Sequence, residues 1–469
     1  MSLDDPIAVE VPVLPRRGLA ADGVWAPHRR RLSLGLVLTI TLVAFESLAI
    51  STVMPVVADD LGGLGLYGWV FSGFFLGNLF GIVTAGQAAD ARGTAFPFAV
   101  GLGLFSAGLL VGGLAPSMSV LVAGRVAQGI GAGAIPAVAY TTVSRMYPAA
   151  LRPRVFAVFS TAWVVPGLIG PAASGAIASA LSWRAVFLAL LPFVALAAVI
   201  TLPTLSRTAP VVDGPPVVVP DRRRRALVLT LGATAVLVAL SGAPMVLALL
   251  LFAVGTPVAA IAFVGLVPRG TVRLAPGVPA AVLVRGVLTF AFFGTDAYVS
   301  LAFQEVRDRP TWVAGVALTG GTLGWTAAAW VQERLIHTVG PRRLVMIGFG
   351  MLAVGIVGMH GALGPFPVPV AIAVWSIAGA GVGLSYAPLS VTVLGLAEPG
   401  REGAASSGLQ LTDTLGVSLG TGIGGAFVAL GESQGWEVRT ALELAFAVTL
   451  AVALTGIFAA RRLPQALPT

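Results

Sequence analysis

An all-α integral membrane fold, with fourteen spanning helices in two six-helix bundles joined by a two-helix insertion, follows from three features of the sequence. These are its composition, the recurrence of apolar runs of membrane length, and the placement of its arginines. Of the 469 residues, 57% are hydrophobic and 10% charged, against roughly 25% charged in water-soluble domains. With no cysteine, disulfides and Cys-based metal or redox sites are out of reach. All 28 basic residues are arginine and the net charge is +8. Most of these arginines sit in short loops beside apolar runs, a positive-inside pattern and not a nucleic-acid face. Without lysine there is no nucleotide-binding phosphate loop, and the three histidines stand in no ligand-like spacing. No cofactor, metal or catalytic group is expected, and the chain does not read as an enzyme.

Residues 1–31 carry Asp4, Asp5, Glu10, several prolines and the basic residues Arg16, Arg17 and His28 to Arg31. They read as a cytoplasmic tail ending in a membrane anchor. A helix crosses the bilayer with about 20 apolar residues. The first apolar run has no small-residue cleavage site, so it is a retained span and not a signal peptide. Spans are expected at 32–57, 66–89, 94–114, 119–142, 153–178 and 184–203, forming an N-terminal bundle over 32–204. A Pro- and Arg-rich cytoplasmic linker at 205–225 follows, its Arg222 to Arg225 read as a topology anchor and not as a lipid-specific site. Runs at 226–243 and 245–266 form the insertion (226–266), parted only by Gly242-Ala243-Pro244. Spans at 280–304, 312–332, 343–362, 367–390, 404–430 and 438–460 complete a C-terminal bundle over 280–461.

Arginine placement decides the least certain count. With two helices in the insertion and the N-terminus inside, 22 of the 28 arginines fall inside, and only Arg184, Arg307, Arg309 and Arg439 outside. A single helix there would send Arg334, Arg342 and Arg343 outside, against the positive-inside rule. The expected setting is the inner (plasma) membrane, multi-pass, with both termini cytoplasmic. Six plus six helices around a central linker is the plan of transporters with a midplane cavity.

A few charges lie within the spans. Arg125 sits in an otherwise uncharged helix, where it costs about 3 kcal/mol even on lenient insertion scales, so a partner or a watery cavity is required. At a helical rise of 1.5 Å per residue, Glu46 lies roughly 15 Å, Arg125 roughly 10 Å and Asp296 roughly 12 Å below the outer surface. The three share one slab. Asp413, among polar neighbours, lies roughly 14 Å from the inner surface and is expected to line an inward cavity. Arg285 is close enough to the inner edge to snorkel, so an anchoring role is expected for it. Among aromatics, Trp163, Phe293, Tyr298 and Tyr386 fall at plausible cavity depths, with Trp163 and Tyr298 taken as substrate-cavity residues.

Four motifs resemble those of the major facilitator superfamily. On the fourth span, Leu121, Arg125, Gln128, Gly129, Gly131 and Gly133 stand in register with that family's helix-four motif. Gly86-Gln-Ala-Ala-Asp90-Ala-Arg92-Gly93 resembles its cytoplasmic loop motif, with Ala91 at the customary arginine position. Gly167-Leu-Ile-Gly170-Pro171-Ala-Ala-Ser174-Gly175 resembles its antiporter motif. Phe45-Glu46-Ser47-Leu48, leading to Met54-Pro55, is similar to the acidic motif of the fourteen-helix drug/proton antiporters, with Glu for Asp and Leu48 for Thr. Trp183-Arg184-Ala-Val-Phe187 and the central hairpin point the same way. The second half keeps a decayed loop motif, Gly340-Pro341-Arg342-Arg343, with His337 at the aspartate position.

The resemblance implies a proton-coupled antiporter that exports small hydrophobic or cationic molecules by alternating access. Glu46 is expected to carry the proton with Arg125 tuning it, and Asp296 and Asp413 are further coupling groups. Gly86, Asp90, Arg92 and Gly93 are expected to gate, Asp90 latching onto the start of a helix of the other half near Gly403 to Ser406. Gly167, Gly170, Pro171 and Gly175 are expected to form the antiporter bend. Expected partners are the substrate, protons and membrane lipids, with no nucleic acid, for a chain acting as a monomer. Export of a lipid or endogenous metabolite stands as the alternative on the same fold.

Overall fold

The computed structural model describes residues 23–148, 151–206, 220–397 and 402–466. The N-terminal residues before 23 and most of the expected linker, 207–219, lie outside the described residues. The chain forms α1 (Pro27–Leu61), α2 (Tyr67–Arg92), α3 (Ala95–Gly113), α4 (Met118–Met146), α5 (Arg152–Ala180), α6 (Trp183–Leu188), α7 (Leu191–Leu205), α8 (Pro220–Leu240) and α9 (Met245–Val264). It continues as α10 (Val278–Leu301), α11 (Thr311–Val339), α12 (Pro341–Ala362), α13 (Val368–Leu396), α14 (Glu402–Gln434) and α15 (Val438–Ala459). The sixth expected span is a broken helix, α6 plus α7. Pro192 in the first turn of α7 has no N–H to continue the ladder.

Loop contacts show that the helices alternate in direction. At the end where α1 begins, here called basal, Gly277 N–H donates to Arg462 O (3.3 Å), Arg342 Nε to Leu463 O (2.7 Å) and Arg225 Nη1 to Gly265 O (3.1 Å). At the opposite, apical end, Asp60 accepts from Trp183 Nε1 (2.9 Å) and Arg184 Nη1 (2.7 Å). There, too, Arg307 Nη1 donates to the carbonyls of Ala362 (3.0 Å) and Phe366 (2.9 Å).

Among the described residues, twelve segments are long and apolar enough to cross a membrane; α8 and α11 are not among them. The helix α8 begins earlier than the expected 226, so Arg222 to Arg225 are helical and its apolar stretch is short. In α11, glycines, threonines and Gln332-Glu333-Arg334 dilute the hydropathy.

The helices of the first half pair as α2 with α4, α3 with α4, α1 with α5 and α1 with α7. In the second half α11 pairs with α13, α12 with α13, α10 with α14 and α10 with α15, so the scheme repeats. Small residues make both sets possible, because lipid is as apolar as leucine and close packing has to supply the association. On α4, Gly129 and Gly133 lie against the carbonyls of Phe74 and Asn78 of α2. On α13, Gly379 and Gly383 lie in the same way against Gly321 and Trp325 of α11. Gly93 (φ 79°) and Gly340 (φ 83°) turn the chain between the corresponding helix pairs, a backbone that L side chains rarely adopt.

Substituting Gly129 by Leu drives a side chain into the Phe74 backbone, and overpacking of this kind costs about 1–3 kcal/mol. Purified Gly129→Leu is expected to melt well below the parent protein in detergent. Gly103→Ala, which meets nothing within 4 Å, should leave the melting temperature unchanged.

Candidate functional site

Two buried ion pairs, one in each half, and an aromatic run make up the site. Close packing of α4 on α2 and α3 carries Arg125 inward, between α2 and α1. Arg125 is 1% exposed and Glu46 3%. Arg125 Nη1 donates to Glu46 Oε1 and to Gln128 Oε1 (2.7 Å), and its Nε donates to Val70 O (3.1 Å). The guanidinium also covers the Phe74 ring, with Cζ 4.2 Å from the centroid. Thus the structure brings together the two residues that the sequence placed at matching depth. The carboxylate is only half satisfied: Glu46 Oε2 and the neighbouring Gln128 Nε2 are buried without a hydrogen-bond partner. Glu46 packs near Ala49, Ile50, Val186, Phe187 and Leu190, the last two beside the break between α6 and α7.

The second pair corrects an expectation. Arg285 does not snorkel to the edge; it is 4% exposed and bound on all sides. Its Nε donates to Asp413 Oδ1 (2.8 Å), its Nη1 to Tyr386 O (2.5 Å) and its Nη2 to Ser390 Oγ (3.4 Å). Tyr386 O–H donates to Asp413 Oδ2 (3.1 Å), so both oxygens of Asp413 are engaged. The Asp413 side chain is 23% exposed, against 3% for Glu46. This pair lies toward the basal end, with Arg285 roughly 10 Å along α10 and Asp413 roughly 16 Å along α14.

Asp296, on α10, is half-buried beside the Trp375 indole and forms no ion pair among the described residues. Trp375 stacks on Phe292 (5.2 Å), Phe292 meets Phe293 (5.1 Å), Phe293 meets Trp325 (6.3 Å), and Trp325 meets Tyr386 (5.1 Å). A continuous aromatic run therefore joins the surroundings of Asp296 to those of Asp413. Sequence reasoning noted Phe293 and Tyr386 but missed Phe292, Trp325 and Trp375, which lie on three different helices with no shared local pattern.

The gating residues are placed only in part. The expected loop motif is the last turns of α2, helical through Arg92 and ended by Gly93. Arg92 is exposed over the Phe96 ring (5.5 Å), and a Cβ on Gly86 would meet nothing within 4 Å. The side chain of Asp90 and residues 398–401 lie outside the described residues, so the expected latch is not described.

The antiporter motif lies where the halves meet. A Cβ on Gly167 would strike Thr322 of α11, Gly175 lies by Thr311, and the carbonyl of Pro171 faces Gly315. Gly170 faces Phe45 and Leu48 of α1 instead. Trp163 stands one turn basal to Gly167 on the same stripe of α5, 47% exposed. Tyr298 is a correction. It is fully buried, its O–H bonded to Thr421 O (2.5 Å) and its ring beside Tyr67 (5.6 Å), so it belongs to the packed apical contact and not to an open cavity.

That contact holds the halves together. Hydrogen bonds across it include Gly65 N–H to Glu432 Oε2 (2.5 Å), Tyr67 O–H to Ala297 O (3.4 Å), Gln304 Nε2 to Thr52 O (3.2 Å) and Ser418 O–H to Ser72 O (3.4 Å), and these four lie toward the apical end. No group of three His, Asp or Glu close enough to hold a metal ion occurs among the described residues.

The model of the Major Facilitator Superfamily matches residues 36–421. A probable multidrug-efflux transporter of Mycobacterium tuberculosis is 28% identical over 455 residues, covering 91% of this chain and 94% of that protein. The drug efflux pump JefA of the same organism is 27% identical over 429 residues, covering 86% and 81%. Among solved structures, an auto-inhibited POT family peptide transporter superposes with a TM-score of 0.67 at 17% identity, covering 94% of this chain and 99% of that one. A D-xylose–proton symporter superposes with a TM-score of 0.65 at 15% identity, covering 93% and 98%.

Removing one partner of a buried pair strands the other charge, at about 3–5 kcal/mol. Arg125→Ala is therefore expected to melt far below the parent, and the double variant Glu46→Gln with Arg125→Gln to recover much of the loss. Equal losses in the single and double variants would show that the pair is not coupled.

Proposed function

The chain belongs to the major facilitator superfamily and is a multi-pass membrane transporter; on that premise we propose that it is a proton-coupled antiporter exporting hydrophobic, cationic small molecules. The observation that carries the proposal is the half-satisfied carboxylate of Glu46. One oxygen is held by Arg125 while the other is buried and unpartnered, the place where a proton adds. Burial favours the neutral acid and the adjacent guanidinium favours the anion, so a site held between them can load and release a proton.

The same arginine reaches the gate. Arg125 Nε is bonded to Val70 O, and Val70 lies between Tyr67 and Ser72, the part of α2 that closes against the other half. When Glu46 is protonated, the pair loses its charge attraction, and Arg125 is free to shift with the α2 segment it holds. Protonation and the state of the apical contact are thereby linked. External protons reach Glu46 once Glu432 has parted from Gly65 and Gly68 from Gly425. The protonated carrier then closes apically, so that the proton moves inward as antiport requires. The stripe of Gly167, Pro171 and Gly175 on α5 serves as the surface on which the halves rock.

The aromatic run with Asp296 near one end and Asp413 at the other offers π-faces and negative charge together, the combination that suits an apolar cation. The relatives named as efflux proteins support the direction of transport. Arginine placement supports a cytoplasmic basal end, fourteen crossings and two six-helix halves.

Inside-out vesicles with an imposed pH gradient test the proposal, using a lipophilic cationic dye as substrate. Uptake is expected with the parent protein and background uptake with Glu46→Gln inserted at the same level. Undiminished gradient-driven uptake by Glu46→Gln would overturn it. The cysteine-free chain is also a clean background for cross-linking. Ser72→Cys with Ser418→Cys is expected to cross-link across the closed apical contact and to stop transport until reduced. Full transport by the cross-linked form would contradict apical opening.

A further inference from the structure

The insertion is fastened to the rest of the bundle through α8, which packs on α2 and α14. The second helix, α9, leans on α8, with Gly232 against Ala259 and Gly255 against Ala235. Its other stripe, from Phe252 through Ala260 to Phe263, stands away from α10 and α14. Between them lies an open cleft of about 460 Å³, within the range of small-ligand sites. The lining is almost wholly hydrocarbon. Of the hydroxyls on it, that of Thr412 is already bonded to Gly408 O (2.8 Å).

Three observations identify the occupant. First, the floor is sealed. Gly286 packs on Thr412 and Gly416 on the Gly286 carbonyl, so a molecule in the cleft does not pass to the centre of the bundle. Second, the cleft lies in the basal half of the membrane region, because its residues on α10 and α14 (Leu283 to Phe290 and Thr412 to Leu419) follow the basal starts of those helices. Third, its basal rim is cationic. Arg222 and Arg225 continue the face of α8 that carries Leu229 and Ala233, at helical spacing on its basal side. Arg269 is exposed next to Pro268, which packs on Gly408 of α14 one turn basal to Thr412. Leu229, in the cleft, is one turn beyond Arg225, roughly 6 Å along the helix.

We propose that this cleft binds an anionic phospholipid of the basal leaflet, with an acyl chain along α9 and its phosphate against the arginines of the rim. Hydrocarbon filling and an anionic head next to clustered arginines are what such a lipid supplies. Neutral lipids fill the cleft but leave the rim unpaired. The position also gives the lipid a lever on transport. Gly286 and Thr412, on the floor, adjoin Arg285 and Asp413 in sequence, so the bound chain braces the α10–α14 contact that carries the second ion pair.

The test uses the full-length protein in detergent, titrated with phosphatidylglycerol or with phosphatidylcholine of identical chains, read by native mass spectrometry and by melting temperature. Phosphatidylglycerol is expected to remain bound and to raise the melting temperature, and phosphatidylcholine to do neither. Arg222→Gln with Arg269→Gln should lower phosphatidylglycerol affinity on the order of tenfold. Ala260→Trp, which fills the cleft and leaves every arginine in place, should abolish the stabilisation. Equal binding of the two lipids, tighter binding of oleate, or full phosphatidylglycerol stabilisation of Ala260→Trp would overturn the proposal. If Ala260→Trp does not fold, the arginine variant decides, and an unchanged affinity there refutes it.

Discussion

A guanidinium buried in the middle of a membrane bundle must find its counter-charge and its hydrogen bonds within the protein, and Arg125 shows how far that one requirement reaches. Its fork draws together Glu46 of α1, Gln128 of its own helix and the Val70 carbonyl of α2. For the fork to arrive there, α4 has to approach α2 more closely than ordinary side chains allow. Gly129 and Gly133 meet that need by putting backbone against the carbonyls of Phe74 and Asn78. The glycines and the arginine are parts of one solution: the small residues bring the helices together and the charge fixes how they sit. Because Val70 belongs to the segment that closes apically on the other half, local electrostatics and the large-scale contact share a residue.

The second half solves the same problem with different chemistry. Arg285 satisfies its donors on Asp413, Tyr386 and Ser390, and Tyr386 closes the second oxygen of Asp413. Here nothing is left over. The two pairs also differ in depth, one toward the apical side and the other basal, so the molecule has a buried charge pair on each side of its midplane. A transporter that alternates its opening has reason to keep one at each approach.

Much of this was legible in the sequence, and the limits have physical causes. Helix positions followed from apolar length, and the pairing of Glu46 with Arg125 from depth and the motif residues. Arg285 was misread because a lone arginine near a helix end snorkels as readily as it pairs, and its partner lies 128 residues away. Boundaries were drawn too short in α11 and α14, since helices continue beyond the hydrocarbon through polar residues that hydropathy excludes. Tyr298 was placed in a cavity from depth alone, and depth does not say which face of a helix a residue occupies. The aromatic run was invisible for the same reason: its members meet only after α10, α11 and α13 have packed.

The contrast between the two carboxylates assigns them different parts in the proposed cycle. Asp413 is more exposed and has both oxygens bonded, so in the proposed cycle it is the group that would exchange Arg285 and Tyr386 for a cationic substrate arriving from the basal side. Glu46 is sealed from solvent and has one oxygen free, so the smallest cation, a proton, is what its surroundings admit. Exchange follows if the two are not satisfied in the same state, and the elements between them connect them mechanically. Arg125 holds the apical segment of α2, that segment abuts α14 at Ser418, and α14 carries Asp413 about a turn and a half away. A shift of α14 at one site therefore moves the other, and a single rigid helix is sufficient to make proton and substrate answer to each other.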